Sequence, residues 1–423
     1  MREMKDSGVE WIGEIPADWK LSKIKQHFLI SSGTTPKSDE PEYWDGDIVW
    51  ITPADFKTDD VFVSKGHRNL SQEGYRVSSL QLVPAGNIIF SKRAPIGQVV
   101  INAIDLCTNQ GCLTVVLNDD SDVRFYRYVM SIATEEFELA GSGTTFKEIS
   151  ATSFGNILLP LTSKQEQTKC ADYLDAKCSK IDEIIEKQLS IIEKLKEYKF
   201  SIITEAVTKG INPDVELEDS TIDMCEQIPV HWSISQNRYL FSLRDEKNYK
   251  PLEEVRLLSL YTDLGVFPHG EQEERGNKAV KAEGYKVVYE NDIVVNIILA
   301  WMGAIGRSAY DGVTSPAYEI YKPNENVCSR YYHYLYRTKP FSAECYKYGR
   351  GIMAMRWRTY SSEFKSIKVP VPPYIEQCQI ADYLDSKCEM LDKTIADRNK
   401  AIDKLQEYKK SLIYEVVTGK KEV

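Results

Sequence analysis

Between positions 330 and 368 nine basic residues, Arg330, Arg337, Lys339, Lys347, Arg350, Arg356, Arg358, Lys365 and Lys368, meet only two acidic ones, Glu344 and Glu363. Tyr331, Tyr332, Tyr334, Tyr336, Tyr346, Tyr348 and Trp357 are interleaved with them. Cations mixed with aromatics suit a surface that tracks phosphates and reads bases. The tyrosines of 331–336, at helical spacing, fit a core better. "GRGIMAMRWRTY" (349–360) has the composition of a loop that offers Arg350, Met353, Arg356 and Arg358 to base edges. Its counterpart earlier in the chain is "GSGTTFKEIS" (141–150), with Thr144, Thr145 and Lys147. Two more glycine-bearing loops follow apolar runs. "FSKRAPIGQ" carries Lys92 and Arg93, and "LAWMGAIGR" carries Trp301 and Arg307.

Motifs of catalysis are missing from the sequence. It has no G-x-x-x-x-G-K-[ST] phosphate loop and no H-E-x-x-H. "GSGTTF" lacks the third glycine of a dinucleotide fingerprint, and no strong strand leads into it. "NPDV" (212–215) lacks the aromatic that stacks on a flipped base in amino-methyltransferases. "EYK" (197–199 and 407–409) has the letters of a nuclease motif but lies in a helical, salt-bridging context. The five histidines share no spacing, and none of the nine cysteines forms a C-x-x-C pair. Reduced thiols are expected, with neither a zinc site nor a disulfide framework.

The elements that must carry the loops are duplicated. "ADYLDAKC" (171–178) returns as "ADYLDSKC" (381–388), and residues 160–209 align without a gap on 370–419 with about 23 identities. A leader precedes each half: "KDSGVEWIGEIPADW" (5–19) and "EDSTIDMCEQIPVHW" (218–232). Each repeated block predicts a long helix. Ser163-x-x-Glu166 has capping-box spacing, Pro372 and Pro373 stand before the second copy, and Gly210 and Gly419 mark the ends. A stretch of about 44 residues would be about 65 Å long. Apolar residues recur in heptads: Leu174, Cys178, Ile181, Ile185, Ile192 and Leu195 in the first copy, and Leu384, Cys388, Leu391, Ile395, Ile402 and Leu405 in the second. Gln188 and Arg398 are polar at matching heptad places. This is the coiled-coil template, and each helix has a partner in the other copy.

The blocks between, about 20–159 and 233–369, mix short β-rich runs with helical stretches and barely match each other. The first carries a net charge of about −4 and the second about +4, within a total of −10. The chain repeats its scaffold and varies its payload. At 423 residues, 42% apolar and 27% charged, it has soluble globular composition, with no secretion signal and no spanning run of about 18 apolar residues. A cytoplasmic location is expected.

The leader, "SGTTFKEIS", "PLTSKQEQTKCADYLDAKCSKID" and "KLKEYKFSIITEAVTKG" resemble a type I restriction–modification specificity subunit. The resemblance covers nearly the whole chain. It implies an α+β fold with two α/β target recognition domains joined by two long helices packed as an antiparallel coiled coil, in a pseudo-twofold repeat. The expected domains are a leader (1–19), target recognition domain 1 (20–160), a central long helix (161–210), the leader repeat with target recognition domain 2 (211–369), and a C-terminal long helix (370–423). Each recognition domain would read one half of a bipartite, asymmetric site in double-stranded DNA. The coil would set the spacer and dock two modification subunits, and restriction motor subunits would join. The chain itself would be no enzyme. S-adenosylmethionine, ATP and Mg would serve the partners, with no cofactor or metal here. The second leader lacks the Gly-Val-Glu-Trp of the first, and the second head's loop lacks Gly-Thr-Thr-x-Lys.

Two other readings compete. A self-contained methyltransferase–nuclease would need an S-adenosylmethionine pocket and an N-P-P-aromatic motif. A coiled-coil scaffold without a DNA role would leave the basic stretch at 330–368 without a purpose.

Overall fold

The computed structural model describes residues 2–57, 60–93, 95–143, 147–262, 264–270, 282–351 and 357–423. The chain forms two compact units, Met1–Gln188 with Lys400–Val423, and Leu189–Asn399. The fold is mixed helix and sheet, with a pseudo-repeat of two domains.

In the first unit the leader is a hairpin, Met4–Asp6 on Glu14–Pro16. A five-stranded sheet follows in the order Leu29–Ser32, Cys112–Val116, Ile88–Ser91, Val99–Asn102, Phe62–Val63. Its central strands are buried on both faces, so their apolar runs do not alternate with polar residues. The pleat still sorts them. Ile88, Phe90, Leu113 and Val115 face the main core with Phe125, Tyr126 and Val129 of the helix Val123–Ile132. Ile89, Val100 and Cys112 face a smaller cluster with Ile51, Phe56 and Leu106. A ribbon of Lys20–Lys23 with Leu158–Leu161 closes the head.

The second unit repeats this plan with a different sequence. Leu217–Asp219 pairs with Gln227–Pro229, and the sheet runs Phe241–Arg244, Tyr318–Pro323, Ile293–Asn296, Ile305–Arg307. That is the order of the first four strands above. Ser233–Gln236 and Lys368–Val371 form the closing ribbon. Tyr331, Tyr332 and Tyr336 are fully buried in its core with Phe341 and Phe364.

The repeated blocks are the helices Lys164–Lys209 and Tyr374–Val417. The Ser163 hydroxyl accepts from the Glu166 N–H (3.3 Å), while the Glu166 carboxylate accepts from Arg2 (2.7 Å). Gly210 and Gly419 take φ of 81° and 71° at the helix ends, a conformation that favours glycine. The first helix passes from the first unit into the second after Gln188, and the second helix passes back after Asn399.

Within each unit the helix segments run antiparallel. In the first, the Cys170 thiol meets the Val416 carbonyl (3.9 Å) and Lys409 pairs with Asp182 (2.6 Å). In the second, Lys199 pairs with Asp392 (2.6 Å), and Ala206 and Val207 share a core with Ile380, Ala381 and Leu384. Leu174, Cys178 and Ile181 are buried in the first core, with Ile185 and Leu405 packed against it. Ile192, Leu384, Cys388, Leu391 and Ile402 are buried, whereas Leu195 and Ile395 are half-buried, as are Gln188 and Arg398. All nine cysteines carry free thiols. Among the described residues no helix is long and apolar enough to cross a membrane.

The start of each helix holds its head through one buried glutamine. Gln167 Oε1 accepts from the Asp122 N–H (2.8 Å) and Nε2 donates to the Thr162 carbonyl (2.7 Å). Gln377 does the same for Cys328 N–H (2.9 Å) and the Pro372 carbonyl (2.8 Å). Each glutamine is only 1% exposed. Replacing either by leucine leaves two backbone groups without partners. We expect Gln167→Leu and Gln377→Leu each to cost about 2–4 kcal/mol, measured by denaturant unfolding of the full chain. A cost under about 0.5 kcal/mol would contradict this role.

Candidate nucleic-acid interface

Each unit brings the loop after its central strand against a hairpin that follows its helices. In the first unit the Ile149 N–H donates to the Lys92 carbonyl (3.1 Å), and Ser142 and Glu148 close the hairpin with two backbone bonds of 2.9 Å. In the second, the Thr359 N–H donates to the Ile297 carbonyl (2.9 Å), and Arg350 and Arg358 close the hairpin, also at 2.9 Å twice. The frames match although the residues do not. Thr144, Thr145, Met353 and Arg356 lie outside the described residues.

The first strand loop is shaped by Ser91, whose hydroxyl donates to the Pro95 carbonyl (2.7 Å) and accepts from the Gln98 N–H (2.9 Å). Gly97 is required there twice over. Its φ is 98°, and a Cβ would stand 2.7 Å from Thr134 Cγ2. The Glu148 carboxylate takes both neighbouring cations, Lys92 Nζ at 3.0 Å and Arg93 Nε at 2.8 Å. Burial pushes its carboxyl up, but hydrogen bonds from Lys92 and Arg93 outweigh this and hold it below the usual carboxylate range. Lys147 is exposed.

In the second unit Arg350 is 78% exposed and bonds to Glu363 at 2.9 Å, with Glu363 only 6% exposed. Trp357 stacks on Tyr346 (4.9 Å between centroids, 21° between planes), and Trp301 meets the edge of the pair at 5.8 Å. Trp301 is half-buried and donates its indole N–H to the Ile298 carbonyl (3.0 Å). Arg358 is half-buried beside Trp357. Arg307 is committed to a turn, bonding Asn291 Oδ1 (2.7 Å) and Glu290 (3.3 Å).

The basic stretch of 330–368 therefore serves several purposes. Arg330 binds Asp382 (2.6 Å) and Asp385 (2.8 Å) of the long helix, and the Tyr334 hydroxyl donates to Asp385 (2.6 Å). Arg337 donates to the Thr262 carbonyl, and Lys347 pairs with Asp223. The hairpin takes only its middle. In the first unit Arg124 binds Asp172 and Asp175 (2.8 Å each), and the Tyr128 hydroxyl donates to Asp175 (2.8 Å). Burial disfavours the Arg124 and Arg330 cations, yet their paired aspartates raise both above the ordinary arginine value. Burial and then the aspartate hydrogen bond raise the hydroxyls of Tyr128 and Tyr334. These latches escaped the reading of the sequence, although both halves of the signal were visible. The repeated phrase contains the two aspartates, and each head carries Arg-x-x-x-Tyr, at 124–128 and 330–334. Glu148 and Glu363 had no such signal. Among the described residues no group of three or more His, Cys, Asp or Glu is placed to hold a metal ion.

A family model of the type I restriction modification DNA specificity domain matches residues 16–194. A type I restriction enzyme specificity subunit from Methanocaldococcus jannaschii, MjaIX, is 36% identical over 190 residues, 44% of this chain and 43% of the relative. Residues 16–194 thus match a type I specificity domain, and the chain is similar to type I specificity subunits. A second relative from the same archaeon, the putative MjaX specificity subunit, is 24% identical across 97% of this chain and 95% of its own. The chain thus spans less than half the length of the MjaIX relative. A solved chain from a study of complex assembly and conformational transition in a type I system has the same fold, with a TM-score of 0.71 over 95% of this chain and 98% of that one at 12% identity.

One member of the second head's framework is a buried histidine expected to make the chain sensitive to acid. The His333 Nδ1 accepts from the Arg307 N–H (3.2 Å). Burial, then Arg337 and Arg307, push the His333 imidazole down to about 3. The unfolded chain takes up this proton near pH 6.5 and the folded chain does not, so stability is lost as pH falls below about 6.5. At pH 5 the loss is about 2 kcal/mol relative to pH 7. Denaturant unfolding at both pH values should show a shallower acid loss for His333→Asn than for wild type. Parallel losses would contradict the assignment.

Proposed function

We propose that this chain supplies the DNA sequence specificity of a type I restriction–modification complex. Each head reads one half of a bipartite, asymmetric site, and the paired helices set the spacer and dock two modification subunits. The observation that carries this reading is the pair of hairpins. Matching frames, closed at Ser142/Glu148 and Arg350/Arg358, present different side chains. A reader of two unlike half-sites needs this arrangement, because base contacts specify while the frame positions. Arginine in such a hairpin can bond guanine O6 and N7 together, which discriminates by about 1–3 kcal/mol per base pair.

The chain performs no catalysis in this account. The modification subunits use S-adenosylmethionine to methylate adenine, and the restriction motor subunits use ATP and Mg. Their basic surfaces supplement a chain whose own net charge is −10. Alone, the chain binds duplex DNA weakly and with strong salt dependence.

Genome-wide adenine methylation in the host, with and without this gene, tests the proposal. A split motif should lose its methylation on deletion, and the motif then names both half-sites. Methylation unchanged at every motif would overturn the assignment.

A further inference from the structure

Three cations beside the two hairpins are paired with acids. Lys92 and Arg93 both reach Glu148, and Arg350 reaches Glu363. Glu363 is the more telling, because a nearly buried carboxylate is spent on a side chain that is 78% exposed. The Ser362 hydroxyl donates to Glu363 Oε2 at 2.6 Å, which leaves Oε1 for Arg350 at 2.9 Å. The two acids are not copies of each other. In the register of the repeat Glu148 falls on Arg358, and Glu363 falls on Ser153. The same device is built from unrelated positions, so it is not a by-product of the duplicated scaffold.

We infer that Glu148 and Glu363 are positioning residues for half-site specificity, acting through Lys92 and Arg93 in one head and Arg350 in the other. This rests on the DNA-reading function proposed above. Arg93 and Arg350 are the exposed members of their pairs, at 48% and 78%, so their aim is a property the acids can change. A guanidinium has five N–H donors, and a carboxylate on one edge fixes the side chain while leaving donors for a base edge. A phosphate, in contrast, must compete with the carboxylate for the same cation. The acid therefore suppresses sequence-independent binding and keeps the cation directed at one base position.

Glu148→Gln and Glu363→Gln, each in the full chain and the native complex, test this. Adenine methylation mapped in hosts carrying each variant should spread to sites that depart from the motif at one base. The spread should be about tenfold above wild type, confined to one half-site for Glu148→Gln and to the other for Glu363→Gln. Affinity of the purified chain for a random-sequence duplex should rise about three- to tenfold in both. An unrelaxed motif in both variants, with wild-type affinity for random duplex, would overturn the inference alone. Uniform loss of methylation together with a lowered melting temperature would also overturn it, as the mark of a structural role. A wild-type gene on which no motif depends would overturn the DNA-reading function as well.

Discussion

A long helix cannot hold a head by apolar contact alone, because a stripe of leucine and isoleucine permits sliding and rotation. The constraint that fixes the head here is polar and buried. Gln167 and Gln377 each bridge a backbone N–H at the start of a head helix and a carbonyl at the end of the closing ribbon. The adjacent glutamates hold the leaders, Glu166 through Arg2 and Glu376 through His231. One turn further along, the paired aspartates grip Arg and Tyr of the head. The desolvation cost of leaving the groups bridged by the two buried glutamines unpaired makes the attachment specific in register, and the more exposed Arg–Asp pairs add less. The rest of each unit depends on it, since the hairpin is aimed by the head and the head by the helix.

This explains why one phrase occurs twice. "ADYLDAKC" and "ADYLDSKC" place the aspartates three residues apart on one face, with Ala, Leu and Cys turned to the core. Both copies make the same attachment, through paired aspartates to Arg and Tyr of the head. The heads are free to differ wherever the attachment and the sheet order are respected, and they do. The first head closes its hairpin with serine and glutamate, the second with two arginines.

The scaffold was legible because its signals are local and periodic. Heptad spacing, a serine three before a glutamate, and a terminal glycine each act within a few residues. The four-strand order of the heads was not legible, since Leu29–Ser32 and Cys112–Val116 pair across some eighty positions with no cue beyond apolarity. The basic stretch of 330–368 read as one surface because charge was averaged along the chain. On a helix, Arg330 and Tyr334 share a face while Tyr331 and Tyr332 point elsewhere, so neighbours in sequence serve attachment and core at once. Glu148 and Glu363 could not be found by pattern, because their cations lie up to 56 residues away or at unrelated offsets.

The central claim is that one frame carries two independent readers. Replacing residues 233–369 by a second copy of residues 20–159, then mapping adenine methylation in the host, tests it most directly. The account predicts a new split motif in which the half-site of the first head occupies both halves. Persistence of the half-site assigned to the second head would contradict it.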